Sequence, residues 1–371
     1  MNYIITGTTY NGKYVDSHEA GMRVLSCEEL AQSDLRFSET DKVYVPSETS
    51  LSTVMQHMDN PGCVAGINKL KDKYLCREAL RSLYPDFYFA KCKLDEISQA
   101  DIVERKIVIK PLKGFFGTGV RFADSSTNLD ALKAEIRKEV TENSRFFPES
   151  ILTKDEYIIE EFIEGEEYAV DMFYDELGKA VITNIYHHPV SDIPDYAHLM
   201  YYSNKELFDN YLETFIRFFN EFGASLKLRN FPIHAEFKLR GTEFIPIEFN
   251  PMRYGGFGLA DLTFNSYGYQ PIAAYFNNQA PNWEAIWKSR ETYSYAFILA
   301  YNGKGVDLNT HAPEHERFRK YLKQYAELMD YVKLDFRKNP VFAIAYIRSD
   351  DYAQMLQLLS TEFADYFAVQ V

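Results

Sequence analysis

Two carboxylates past the middle of the chain have the types and spacing to hold a cation. The run from Ile233 reads IHAEFKLRGTEFIPIEFNPMRYGGFG. Ile233, Ala235, Phe237 and Leu239 alternate with His234, Glu236 and Lys238, the period of a half-buried strand. Arg240-Gly241-Thr242 supplies a turn, after which Ile245, Ile247 and Phe249 fall on one face and Glu248 and Asn250 on the other. A hairpin folded about Thr242 sets Glu236 opposite Glu248. Facing Cβ atoms on paired strands lie roughly 4.5–5.5 Å apart, where like charges repel. A cation between them removes that repulsion. Two carboxylates and the Asn250 amide oxygen are hard oxygen donors of the kind Mg²⁺ accepts beside phosphate oxygens. The alternative is a solvated hairpin face with two surface glutamates.

Three earlier stretches carry further chemistry. From Lys106 the chain reads KIVIKPLKGFFGTGVRF, a strand with Lys106, Val108 and Lys110 on one face, then Gly114, Gly117 and Gly119, then a strand from Val120 to Ala123. Such glycines let backbone N–H groups approach an anion, making a hairpin lid over phosphates with Lys110 below as a point charge. No Lys-Ser/Thr pair follows the last glycine and the exit is a strand, which excludes a Walker A loop; an ordinary glycine-containing turn is the alternative. From Tyr157, YIIEEFIEGEEYAVDMF gives a strand, a bend at Gly165 and a second strand. Such a bend can offer backbone groups to the edge of a flat heterocycle, and a carboxylate just after it can accept from sugar hydroxyls; taken alone, it is an acidic hairpin. From Asn68 to Leu83 the spacing of Leu70, Tyr74, Leu80 and Leu83 predicts a helix capped by Asn68 and stopped before Pro85. Lys73 falls in its first turns, where most lysines are merely solvated.

The elements that must position these groups follow from the rest of the sequence. The chain has 371 residues, 16% aromatic with 28 Tyr and 28 Phe, enough for two or three domains around a large core. A net charge of −14 argues against a nucleic-acid partner. Cys27, Cys63, Cys76 and Cys92 lack metal or disulfide spacing and suit reduced thiols. No signal-peptide pattern or membrane-length apolar run is evident, so a soluble, cytoplasmic protein is expected. Strands at Tyr3–Thr6 and Lys42–Val45, with helices around Glu28–Ser33 and Ser50–Met58, predict a small α/β layer over residues 1–68; it carries no dinucleotide fingerprint. Leu207, Tyr211, Phe215, Phe219 and Phe222 predict an amphipathic core helix over Lys205–Phe222, capped by Gly223. His187-His188 and the segment to Tyr202 are polar and aromatic without clear period, and could border an acceptor site. After Pro281 a strand (Tyr295–Tyr301), a helix (Glu314–Met329), two strands (Tyr331–Phe336, Val341–Ile347) and a final helix (Asp350–Phe367) predict a C-terminal α/β appendage that shapes a pocket or a homodimer contact.

In their order the motifs resemble a known family. A helix lysine, then V-I-K-P with a glycine lid, then E-E-F-I-E-G-E-E-Y, then A-E-F followed by I-E-F-N-P looks like the ATP-grasp superfamily of ATP-dependent carboxylate–amine ligases, over roughly Asn68 to Gly258. The resemblance implies an α/β (α+β) fold, a two-lobe clamp over residues 69–280 between the N-terminal domain (1–68) and the C-terminal appendage (281–371). It implies that Lys73 and Lys110 contact ATP phosphates and that Gly117 and Gly119 belong to the lid. Glu160 and the backbone of Phe162 and Ile163 would read adenine, Glu167 would hold the ribose, and Glu236, Glu248 and Asn250 would hold Mg²⁺, with Mn²⁺ as an alternative. ATP would convert a small-molecule carboxylate to an acyl phosphate for attack by an amine, with Arg253 and the N–H groups of Tyr254, Gly255 and Gly256 stabilising the charge that develops. Two departures stand out. Met252 intervenes before Arg253, which could instead pair with Asp261, and Phe115-Phe116 replace small lid residues. A kinase that stops at phosphate transfer and a non-catalytic nucleotide-binding regulator are the alternatives; the full metal-type set and both lysines speak against the regulator.

Overall fold

The computed structural model describes residues 1–13, 15, 21–114, 118–143, 154–290 and 292–370. Phe115, Phe116 and Gly117 of the expected lid lie outside the described residues. Near the N-terminus, β1 (Asn2–Thr6), β2 (Met22–Ser26) and β3 (Lys42–Tyr44) form a parallel sheet in the order β2-β1-β3. The sequence reading had omitted β2. Ser26 and Glu29 cap α1 (Cys27–Ala31) reciprocally, and α2 (Leu51–Gln56) follows the short turn Glu48–Ser50.

The helix expected from Asn68 is two helices, α3 (Pro61–Lys71) and α4 (Lys73–Leu80). Asp72 adopts an extended conformation between them, and its carboxylate accepts from the N–H groups of Tyr74 and Leu75. Asp72 is therefore the cap, Asn68 lies inside α3, and Lys73 takes the first helical position. The residue-68 boundary falls within α3.

A small lobe follows. β4 (Phe89–Lys93), β5 (Ile107–Pro111), β6 (Arg121–Ala123) and β7 (Glu156–Glu161) form an antiparallel sheet in the order β4-β7-β5-β6. Ile107, Ile109, Tyr157 and Ile159 pack beneath it with Ile102 of α5 (Gln99–Val103) and Ile136 and Val140 of α6 (Leu129–Asn143), a core of its own. Strand alternation leaves Val108, Lys110 and Glu160 on the opposite face.

The large lobe is an eight-stranded antiparallel sheet. Its strands are β8 (Glu166–Tyr174), β9 (Ala180–His188), β10 (Met200–Asn204), β11 (Phe231–Arg240), β12 (Glu243–Pro251), β13 (Ser294–Tyr301), β15 (Glu327–Lys333) and β16 (Val341–Ser349), in the order β12-β11-β8-β9-β10-β13-β16-β15. β14 (His311–Pro313) pairs with β17 (Phe367–Val369) separately. The acidic stretch around Gly165 is thus no hairpin: β7 ends in one sheet and β8 begins the other, so residues 162–165 cross between lobes.

The amphipathic helix α7 (Lys205–Leu226) packs Phe215, Phe219 and Phe222 against Phe237, Phe244 and Phe249. It runs through Gly223, which is small because a Cβ there would overlap the Tyr174 ring; the left-handed cap is Lys227. His187 and His188 lie on β9, every residue of which is buried. The C-terminal strands extend the large sheet rather than forming a separate layer. The helix expected over Glu314–Met329 ends at Leu322, because Glu327–Lys333 pairs with β16 as an edge strand. The expected final helix is a short one, Tyr352–Leu356, followed by two 3₁₀ turns. Among the described residues no helix is long and apolar enough to cross a membrane.

Candidate active site

The β11–β12 hairpin sets Glu236 opposite Glu248 and His234 opposite Asn250. The register then shifts between Glu236 and Phe237, and the strands close with Arg240 opposite Glu243 around Gly241. The turn centre therefore lies half a residue before Thr242, and one extra residue on β12 restores the pairing. That bulge also reverses the alternation. Phe249 joins Phe244 in the main core, whereas Ile245 and Ile247 pack with Phe87 and Ile163 on the other side.

The two glutamates are balanced differently. The Glu236 carboxylate lies 3.4 Å from His234 Nε2, and His234 Nδ1 lies 2.8 Å from Asp171 Oδ1. Burial would discharge this imidazole, but Asp171 and Glu236 together raise it to about 9, and Glu236 in turn is held at about 2. Asp171 also accepts from Tyr186 Oη and from the Gly255 N–H, each at 2.8 Å. Glu248 has no hydrogen-bonding or ion-pair partner among the described residues. Burial raises its carboxyl, opposed by Lys73, and Glu236 raises it further. A facing pair of carboxylates, one with no direct ion-pair partner among the described residues, beside the buried Asn250 fits a hard divalent cation. Among the described residues no three His, Cys, Asp or Glu side chains converge as a metal centre.

Lys73, Arg77, Glu160 and Glu248 line one cavity between α4 and β12. Burial lowers Lys73, against the pull of Glu248. Lys110 Nζ reaches Glu160 Oε2 at 2.7 Å, and Arg77 binds both oxygens of the same carboxylate. Burial works against that charge, but Arg77 and then Lys110 outweigh it and hold Glu160 at about 2. At the crossing, the Phe162 N–H donates to the Lys106 carbonyl at 2.9 Å and the Phe162 ring lies 3.8 Å from Lys106 Nζ. Ile163 is buried against Phe87 and Ile245. Glu167 accepts from His188 Nδ1 at 2.8 Å, and that ring stacks on Tyr201. Gly119 has φ +69°, and a Cβ there would strike Val140 and Pro111, so this residue anchors the end of the loop by close packing.

A family model described as an ATP-grasp domain matches residues 103–261. The chain carries an ATP-grasp domain. Among curated protein sequences none matches the chain. Several solved structures share its fold. An L-amino acid ligase from Bacillus licheniformis superposes with a TM-score of 0.66 at 15% identity, covering 100% of this chain and 98% of that one. The N5-carboxyaminoimidazole synthetase from Staphylococcus aureus, complexed with ADP, gives 0.65 at 12%, covering 98% and 96%. The biotin carboxylase domain dimer of the Hydrogenobacter thermophilus 2-oxoglutarate carboxylase, bound to MgADP, ADP and bicarbonate, gives 0.53 at 12%, covering 83% and 68%. At these identities the likeness is one of fold.

The matched ATP-grasp segment contains every expected site residue except Lys73, which α4 brings in from outside it. Arg253 follows Met252, a buried residue in the left-handed region (φ 65°) whose N–H and C=O bond to Pro232 and Val45. That twist sends the guanidinium toward Glu48 rather than Asp261. Arg253 Nη2 lies 3.7 Å from Glu48 Oε2, while Lys71 holds the other Glu48 oxygen. Two of the three N–H groups expected after Arg253 are already engaged: Gly255 donates to Asp171, and Tyr254 to Tyr44 Oη at 3.4 Å. The sequence reading missed Arg77, Asp171, His234 and Glu48 as site residues. Arg77 could have been found four positions after Lys73, and Asp171 as a lone charge in the apolar run YAVDMF.

Proposed function

We propose that this chain is an ATP- and Mg²⁺-dependent ligase, which activates a small-molecule carboxylate as an acyl phosphate for attack by an amine and releases ADP and phosphate. The observation that carries this is the facing pair Glu236 and Glu248, the latter with no ion-pair partner among the described residues, with Lys73 of α4 lining the same cavity as Glu248 and Lys110 of β5 paired to Glu160 in that cavity's wall. Glu236, Glu248 and Asn250 would hold Mg²⁺, or Mn²⁺ in its place. When bound, the ion supplies charge neutralisation at the phosphates. The ATP-grasp fold and the ligase named among its structural relatives favour the same chemistry.

In this reading Lys73 and Lys110 neutralise phosphate oxygens, Gly119 packs at the end of the glycine stretch, and the Phe162 carbonyl and Ile163 edge the adenine, whereas Glu160, both oxygens of which Arg77 and Lys110 already hold, makes no contact with the base. Glu167 takes the ribose hydroxyls with a lone pair His188 leaves open. Arg253 orients the substrate carboxylate, one oxygen of which attacks the γ-phosphorus as the bond to ADP breaks. The amine then adds to the acyl carbon, loses a proton and expels phosphate. Because the Tyr254 and Gly255 N–H groups are already bonded, the charge stabilisation at that end falls to Arg253 and the Gly256 N–H.

The test is ADP release from the purified chain with MgATP, screened against paired carboxylates and amines, with mass spectrometry of the products. The expected outcome is ADP with an amide-type product in equal amounts. ADP with a phosphorylated end product would instead mark a kinase, and ATP binding without ADP release under any pair would mark a regulator.

A further inference from the structure

Arg77 has no role in the chemistry above, yet it is the most heavily engaged cation at the site. It is 4% exposed and rises from α4 between the lobes. Its Nε donates to Glu160 Oε1 at 2.7 Å, its Nη2 to Glu160 Oε2 at 3.3 Å, and its Nη1 to the Pro246 carbonyl at 2.7 Å. The guanidinium carbon lies 4.2 Å from the centre of the Phe87 ring. Glu160, 2% exposed, therefore has two cations for one charge, since Lys110 also bonds its Oε2.

This surplus matters when Lys110 is needed elsewhere. A buried carboxylate stripped of its only counter-ion is strongly disfavoured. Were Lys110 that only counter-ion, it would be held on Glu160 and withheld from an incoming phosphate. With Arg77 covering both oxygens, Glu160 stays neutralised whichever way Lys110 turns. Lys110 joins Glu160 diagonally across neighbouring strands, Val108 being the residue directly opposite Glu160, so a rotation of its long side chain is enough to leave.

We propose that Arg77 is a positioning residue for nucleotide binding: by holding Glu160 through both carboxylate oxygens, it releases Lys110 to the ATP phosphates. The proposal rests on the reading of Lys110 as a phosphate contact. It has an unusual signature. Removing Arg77, which does not touch the nucleotide, weakens binding, and removing the negative charge it guards restores it.

The experiment is equilibrium binding of MgATP to the full chain by calorimetry, for wild type, Arg77→Met, Arg77→Met/Glu160→Gln and Lys110→Ala, with circular dichroism confirming the fold of each. Arg77→Met is expected to bind roughly tenfold or more weakly, equivalent to ~1.4 kcal/mol. The double variant is expected to recover to within about threefold of wild type, since Lys110 no longer faces a buried charge. Damage to the fold alone predicts a double variant at least as weak as the single one, and that result overturns the proposal. Wild-type affinity in Arg77→Met, with Lys110→Ala weakened, also overturns it while leaving the phosphate contact standing. Wild-type affinity in Lys110→Ala overturns both.

Discussion

Glu160 and Glu248 line the same cavity, both largely removed from water, yet their carboxyls are driven in opposite directions. Around Glu160 the chain supplies Arg77 and Lys110 and the charge is secure. Around Glu248 it supplies another carboxylate, and Lys73 at the head of α4 only partly offsets the cost. The first arrangement is complete without a ligand, whereas the second asks for one. A buried charge that the protein leaves unbalanced is a better pointer to chemistry than one it has satisfied.

Substituting the two glutamates alike should separate them most. Glu248→Gln is expected to cut Mg²⁺-dependent ATP turnover by on the order of 100-fold or more, or ~2.7 kcal/mol of transition-state stabilisation. Its melting temperature without magnesium should hold or rise, because a repulsion has been removed. Glu160→Gln should do the reverse to the fold, leaving two buried cations without their anion and lowering stability by about 3–5 kcal/mol in a urea titration. Equal melting temperatures for the two variants would mean that the contrast in charge balance has been misjudged.

A smaller effect is expected at Arg253, whose near neighbour Glu48 already engages Lys71. Arg253→Lys retains the charge but loses the two-pronged geometry, so MgATP affinity should stay within about twofold while amide formation drops by roughly tenfold. Unchanged product formation would shift the substrate carboxylate away from this residue.

The smallest effect is on pH dependence without metal. His234 is raised from 6.5 to about 9, so its contribution to stability is complete below pH 6.5 and fades as pH climbs through 9. Glu160, lowered from 4.5 to about 2, contributes fully above pH 4.5 and loses its share on acidification toward pH 2. Urea midpoints across these two windows should fall at both ends, and His234→Gln should flatten the alkaline fall together with the part of the acid fall that comes from Glu236, which His234 holds at about 2, leaving the share of Glu160.

Much of this was legible in the sequence because it depends on local period. Glu236 faces Glu248 as the alternation predicts, and β5 and β6 pair about the glycine loop with Lys110 on the expected face. Even so, the hairpin was right through a compensation: the turn lies half a residue early and the bulge at Ile247 corrects it, which alternation alone could not show. The break at Asp72 was hidden because a capping aspartate inside a helical pattern looks like one more polar surface residue. Gly223 was misread as a cap because its purpose, room for the Tyr174 ring, involves a strand some fifty residues away. Arg77, Asp171, His234 and Glu48 were missed for the same reason, since each acquires its meaning from a partner distant in sequence. The Glu327–Lys333 strand escaped notice because pairing with β16 overrode a helical pattern.

The small lobe is one contiguous stretch of chain with its own apolar centre, joined to the larger body by one backbone passage before β4 and another after β7. Two cores joined by these passages, by Arg77 and by the Arg240–Glu161 ion pair need not melt together. The lobe can open as a separate cooperative unit, at a cost below that of unfolding the whole molecule. A nucleotide lodged between them adheres to both, and its binding free energy is then shared by the weaker and the stronger unit alike. Substrate would thus act as mortar as well as reactant, making the chain most cohesive while its cleft is filled.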